Sequence, residues 1–98
     1  MKSITITILF FMLFCNAFAD NFQILYREGN NTYSVSYSSF RILDQSNKVV
    51  VSGYTDKYGR IAANLVMGNY VCEITYSKTI YRKPITIDGS TNLKDILL

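Results

Sequence analysis

The chain has 98 residues, 49% of them apolar, a formal net charge of +3, and neither histidine nor tryptophan. That length excludes two domains and any large catalytic scaffold. It leaves room for one small core that buries roughly 60–65% of the unfolded surface. The mild positive charge has no dense basic block behind it, so nucleic-acid binding finds no support.

Fourteen of the first 19 residues are apolar. Lys2 gives a positive start, and Ile4 to Phe14 is an apolar stretch interrupted only by Thr5 and Thr7. Ala17-Phe18-Ala19 places small residues at the −3 and −1 positions before Asp20. This is the pattern of a cleavable secretory signal. The expectation is a helical signal peptide over residues 1–19, cut between Ala19 and Asp20. A membrane anchor is the rival reading. A spanning helix wants about 20 apolar residues, whereas this stretch is shorter and runs into Asn16, Asp20 and Asn21. Cys15 raises lipidation as a second rival, but bulky Phe14 stands where a lipidation site needs a small residue. The expected product is a secreted or periplasmic chain of residues 20–98 with no membrane span left.

Removing the leader removes Cys15, and Cys72 is then the single cysteine. No intramolecular disulfide is possible, so the stability of this small exported fold must come from its core. Cys72 is open to two readings, an intermolecular bridge or a buried small hydrophobe. Strand alternation puts Tyr70, Cys72, Ile74 and Tyr76 on one face and Glu73, Thr75 and Ser77 on the other, which favours the core.

No apolar period of 3.6 residues persists after Asp20. Short alternating or β-branched runs separated by turn residues recur instead. Seven strands are predicted in chain order. Phe22–Arg27 ends at Glu28-Gly29-Asn30-Asn31. Tyr33–Leu43 is long and breaks near Ser38-Ser39, with Phe40 and Ile42 facing in. Lys48–Tyr54 carries three valines. Arg60–Val66 follows the Asp56–Gly59 turn, and Asn69–Ser77 follows Met67-Gly68. Thr79–Ile87 contains Pro84, which marks an edge or a bulge. Asn92–Leu98 closes the chain after Asp88-Gly89-Ser90. Seven short strands with turns at this spacing predict an all-β, Greek-key-like sandwich filling residues 20–98.

The central run is Lys48-Val49-Val50-Val51-Ser52-Gly53-Tyr54-Thr55-Asp56-Lys57-Tyr58-Gly59-Arg60-Ile61. It is followed by Gly68-Asn69-Tyr70, by Ile85-Thr86-Ile87 and by a last strand over Leu93 to Leu97. In this it resembles the transthyretin-like (prealbumin-like), carboxypeptidase-regulatory-like β-sandwich, whose relatives include the collagen-adhesin B-type repeats. The resemblance covers Phe40 to Leu98 and implies an Ig-like or prealbumin-like fold. The motif also has a local reading. Asp56 can accept hydrogen bonds from backbone amides ahead of it, and Gly59 and Gly68 can take positive φ. Thr55, Asp56, Gly59, Gly68 and Tyr70 are therefore expected to punctuate the fold and not to hold a ligand.

The family's chemical branches find little here. Hydroxyisourate hydrolysis works through histidines, and this chain has none. The self-crosslinking branch implies an inward Glu six residues past Gly68, where this sequence has Ile74, and a lysine on the Phe40–Leu43 strand, where it has Arg41. The branch also implies a Gly-aromatic turn that is replaced by Ser77-Lys78-Thr79-Ile80, which leaves the shape of that hairpin open. Zinc wants clustered Cys and His, and calcium wants clustered oxygens, whereas Asp44, Asp56 and Asp88 are scattered. No metal, no cofactor and no catalytic residue is expected. Asn30-Asn31-Thr32 matches a glycosylation acceptor that matters only in a eukaryotic secretory pathway.

Two functions remain. One is a non-catalytic binding or accessory module that takes a protein or glycan on its loops, exposed tyrosines or an edge strand. The candidate contacts are Tyr54 and Tyr58 beside the central turn, with Tyr81, Arg82 and Lys83, against the plainer reading that these residues cap the sandwich. The other is a structural part of an envelope or surface assembly joined by strand addition.

Overall fold

The computed structural model describes residues 18–89 and 92–98, with side chains from Asp20 onward. The expected signal segment lies outside the described residues except for the backbone of Phe18 and Ala19. Eight strands follow in chain order: β1 (Phe18–Glu28), β2 (Asn31–Ser34), β3 (Ser39–Leu43), β4 (Val49–Tyr54), β5 (Arg60–Leu65), β6 (Gly68–Tyr76), β7 (Thr79–Ile87) and β8 (Leu93–Leu97). The structure is all-β, in two sheets.

The strand count corrects the expected seven. The predicted run Tyr33–Leu43 is two strands, β2 and β3, and they belong to different sheets. The break comes where Tyr37 adopts φ 51°, which turns the chain out of the first sheet. The other predicted strands lie within a few residues of their expected places. The exception is β1, which starts four residues earlier, ahead of the expected cleavage point.

In the first sheet, the long strand β1 serves three neighbours. Its first half pairs antiparallel with β5, Phe22 opposite Ile61, and its second half pairs antiparallel with β2, Leu25 opposite Ser34. Ile24 marks the change of partner. Its N–H donates to Gly59 O at 2.7 Å, and its carbonyl accepts from Val35 N at 2.9 Å. The Leu25 carbonyl faces the other side and accepts from Leu98 N at 2.9 Å, next to β8, which runs parallel to β1. The second sheet has the order β4-β3-β6-β7, with every pairing antiparallel.

Alternation along each strand then fills the space between the sheets. Phe22, Ile24, Ile61, Ala63, Leu65 and Ile96 face Phe40, Ile42, Cys72, Ile74, Ile85 and Ile87. Burying each of the large side chains stabilises the fold by roughly 1.5–3 kcal/mol. Val35, in the link between β2 and β3, is fully buried and joins the same core. At one end the Tyr26 ring lies 5.1 Å from Tyr76 of the opposite sheet and 6.1 Å from Tyr33. Tyrosine suits such an end because its ring packs while its hydroxyl stays wet.

The β6–β7 hairpin, whose shape the sequence left open, closes in two residues between Tyr76 and Thr79. Ser77 (φ 51°) and Lys78 (φ 66°) are both left-handed, as a type I′ turn requires. Neither residue is glycine, so the turn carries local strain. Lys78→Gly should raise stability by about 1 kcal/mol, seen as a higher denaturant midpoint with an unchanged slope.

Candidate functional site

The chain crosses from the second sheet to the first through Thr55–Gly59, between β4 and β5. Thr55 is 2% exposed. Its hydroxyl donates to Val35 O at 2.6 Å and accepts from Ser38 N at 2.9 Å. Asp56 Oδ1 accepts from Tyr58 N at 2.8 Å and from Arg60 N at 2.9 Å. The Arg60 and Tyr58 amides hold the Asp56 carboxyl below its usual range. Gly59 closes the turn at φ 76°, and a Cβ there would meet the Ile24 carbonyl oxygen at 2.6 Å. These three residues bond or pack against the chain itself. Gly68, at φ 154°, opens β6, and the Tyr70 hydroxyl donates to Val66 O at 2.8 Å.

Three tyrosines surround this locked turn. Tyr54, at the end of β4, is 74% exposed, and Tyr58, within the turn, is 48% exposed. Tyr37 is 70% exposed and its N–H donates to Asp56 O at 3.2 Å, which ties its backbone to the turn. The sequence reading named Tyr54 and Tyr58 and missed Tyr37. A bulky residue at φ 51° is unusual, and such strain concentrates at functional positions. Two cations flank the Tyr58 ring: Lys57 Nζ at 5.0 Å and Arg60 Cζ at 4.9 Å from its centroid. Asp56 and Arg60 also line a shallow groove of about 520 Å³ that continues over Ala62, Asn21 and Leu93 on the outer face of the first sheet.

The other three candidate contacts do not join this group, and they do not form one patch. They lie on β7, on the far side of β6 and β3 from β4. Arg82 is on the outer face, where it pairs with Glu73. Tyr81 and Lys83 alternate with it and stand opposite Ile74 and Cys72, half-buried on the inner face. Glu73 sits between two arginines: Arg41 donates to its Oε1 from Nε at 3.0 Å, and Arg82 pairs with its Oε2. The Arg41 hydrogen bonds, above all, hold the Glu73 carboxyl low.

One further polar feature was not foreseen. Asp20 is fully buried, and its carboxylate accepts from Asp88 N and Gly89 N at 3.1 Å and from Lys94 Nζ at 3.0 Å. Lys94 Nζ also reaches Asp88 Oδ1 at 2.8 Å, and the hydrogen bonds to Asp88 and then Asp20 raise its pKa. Lys94 and Asp20 form an ion pair across the end of the sandwich. The signal was in the pattern: Asp20 shares a face with Phe22 and Ile24, and Lys94 shares one with Ile96. Cys72 is 1% exposed, and burial pushes its thiol up to about 12. A bridge between chains through Cys72 would require the core to open, which removes the cysteine support for an assembly role. Among the described residues no three Cys, Asp or Glu side chains gather as a metal site would require.

No protein-family model and no curated protein sequence matches the chain. Among solved structures the chain is similar to the Bacillus anthracis TIE protein, at 19% identity and a TM-score of 0.60. The likeness covers 83% of this chain and 17% of that one, so this chain spans a small part of that protein's length. At this identity the likeness concerns the fold, a two-sheet β-sandwich.

Two outcomes follow from the turn and the ion pairs. Gly59→Ala should cost about 3 kcal/mol, since the left-handed backbone and the Ile24 carbonyl both oppose a Cβ, measured by denaturant unfolding. Asp56 and Glu73 have folded pKa values below their unfolded ones. Their stabilisation is therefore complete above the usual carboxylate range and is lost as pH falls through the folded values. Thermal midpoints should hold near neutral pH and drop below about pH 4. Glu73→Gln should lower the neutral midpoint and flatten the acid drop.

Proposed function

We propose that this chain is an exported, non-catalytic binding module of the transthyretin-like, carboxypeptidase-regulatory-like type, taking a protein or glycan partner at the turn that carries Tyr37, Tyr54 and Tyr58. One observation carries this reading: three exposed tyrosines gathered on a turn that is itself rigid. Rigid aromatic side chains give large contact area at little entropic cost when they bind. The turn is pinned by Thr55, Asp56 and Gly59, so little ordering is left for the partner to supply. Lys57 and Arg60 add positive charge beside the rings, which suits a partner with acidic groups.

Export rests on the leader pattern. Cleavage between Ala19 and Asp20 would remove the backbone pairs of Phe18 with Leu65 and of Ala19 with Asn64. It would leave every contact of the Asp20 side chain in place.

The strained tyrosine gives the sharpest test. Tyr37→Gly should stabilise the domain by about 1 kcal/mol, because glycine accepts a left-handed φ, while partner capture falls. The combination Tyr37→Gly, Tyr54→Ala and Tyr58→Ala should weaken capture from an envelope extract tenfold or more in a protein that remains folded. Capture at the wild-type level by the folded triple variant would defeat the proposal.

A further inference from the structure

The outer strands of the two sheets are not equally protected against a new strand. A free edge presents unpaired N–H and C=O groups, and proteins blunt such edges with charge, proline or bulges. On β7, Pro84 offers no N–H, and Lys83 beside it is a half-buried charged residue opposite Cys72. On β8, Lys94 is turned inward to Asp20, and Asp95 follows it. On the remaining edge, β5 begins with the charge of Arg60 and β2 is only four residues long. On β4 the sequence is Val-Val-Val-Ser-Gly-Tyr, without a charge. Val49 and Val50 are 40% and 37% exposed, beside the much more exposed Tyr54.

The backbone of β4 is available on one side. Thr55 N donates inward to Ser38 O at 2.9 Å, so the alternate residues Ser52 and Tyr54 present their N–H and C=O outward. A bulge after Ile42 pairs Leu43 with Val49 and Ile42 with Val51, and leaves Val50 with no residue opposite it on β3.

We propose that β4 pairs antiparallel with β4 of a second copy of this chain, about a two-fold axis at Ser52. The side chains select that register. Ser52 on Ser52 sets Val50 against Tyr54 on the exposed face and Val51 against Gly53 on the inner face. It also brings Lys48 level with Asp56, so that each end of the paired strands closes on opposite charges. Asp56 uses Oδ1 for its turn, so Oδ2 is the oxygen that would accept from the lysine. A slip of two residues, pairing Ser52 with Tyr54, sets Val50 against Asp56 and loses both the apolar and the charge match. Two-fold symmetry uses each of these pairs twice. The product is one continuous eight-stranded sheet built from two four-stranded ones. This goes beyond the tyrosine reading, since it holds whatever the tyrosines bind.

The test is sedimentation equilibrium of the purified chain over a dilution series, with two variants of Ser52, whose side chain is exposed. The wild type should show a concentration-dependent monomer–dimer equilibrium. Ser52→Glu should weaken the dimer tenfold or more by setting like charges on the axis. Its neighbour Arg41 on β3 keeps the fold content with the new carboxylate, so its thermal midpoint should not fall. Ser52→Cys should form a disulfide dimer under mild oxidation, because residues in a hydrogen-bonded antiparallel pair stand about 5.5 Å apart at Cα. Ser46→Cys, exposed in the β3–β4 loop, is the control. A wild type that stays monomeric throughout would overturn the proposal. So would a Ser52→Cys chain that cross-links no faster than Ser46→Cys.

Discussion

The crossing at Thr55–Gly59 is the constraint on which the rest of the structure depends. It carries the chain from the second sheet back to the first, and it allows no side chain at Gly59. The Ile24 carbonyl lies where a Cβ would stand. That close approach lets Ile24 N–H bond Gly59 O while the Ile24 carbonyl takes Val35 N–H. Three segments distant in sequence are thereby fixed at one residue of β1. Thr55 completes the lock from the other side, with one hydroxyl that serves both Val35 and Ser38. The position of Val35 in the core and the turn at Tyr37 both follow from this knot.

The same geometry explains what could be read from the sequence and what could not. The Thr-Asp-x-x-Gly spacing marked the turn, because Asp and Gly have local backbone roles that spacing reveals. The alternation of β6 placed Cys72 and Ile74 inward and Glu73 outward, because a period of two survives any tertiary context that buries one face. Tyr33–Leu43 misled because both β2 and β3 have strand-like residues. Their separation is caused by Thr55, some 20 positions away, which holds Val35 and Ser38 and leaves Tyr37 to absorb the bend. Tyr37 carries no local sign of a left-handed backbone. The separation of Arg82 from Tyr81 and Lys83 was legible from alternation alone. Grouping them as neighbours in sequence overlooked that.

The charges divide into two kinds of device. Glu73 lies on the outer face of the second sheet with an arginine on each neighbouring strand, so the three residues form a rung across β3, β6 and β7. With both arginines more than half exposed, solvent screens the rung and its worth is modest. Asp20 and Lys94 are different, because the acid is fully buried. Removing Lys94 would leave the buried Asp20 carboxylate without its counter-charge, so the pair selects one arrangement of β1, β8 and the Asp88–Gly89 turn more than it adds stability. A parallel pairing of first and last strands has no hairpin to set its register. A single buried ion pair supplies that register here.

Without a disulfide, a sandwich of this size depends on its core and on keeping its edges closed to the wrong neighbours. Pro84 on β7 and the inward Lys94 on β8 do the second job, the lysine at a cost in core volume, since it occupies an inner-face position that an apolar residue could fill. β4 shows no such sacrifice. Its valines and Tyr54 remain exposed, beside the turn that holds the other two tyrosines. A chain that blunts its other edges with proline, charge or a short strand and leaves β4 apolar, with opposite charges at its two ends, has there the edge that the proposed pairing needs. The proposed recognition surface and the proposed pairing edge therefore meet at one corner of the sandwich, where β4 runs into the locked turn. Any partner held by the tyrosines would sit beside the two-fold axis, and binding would sense whether the second copy is present.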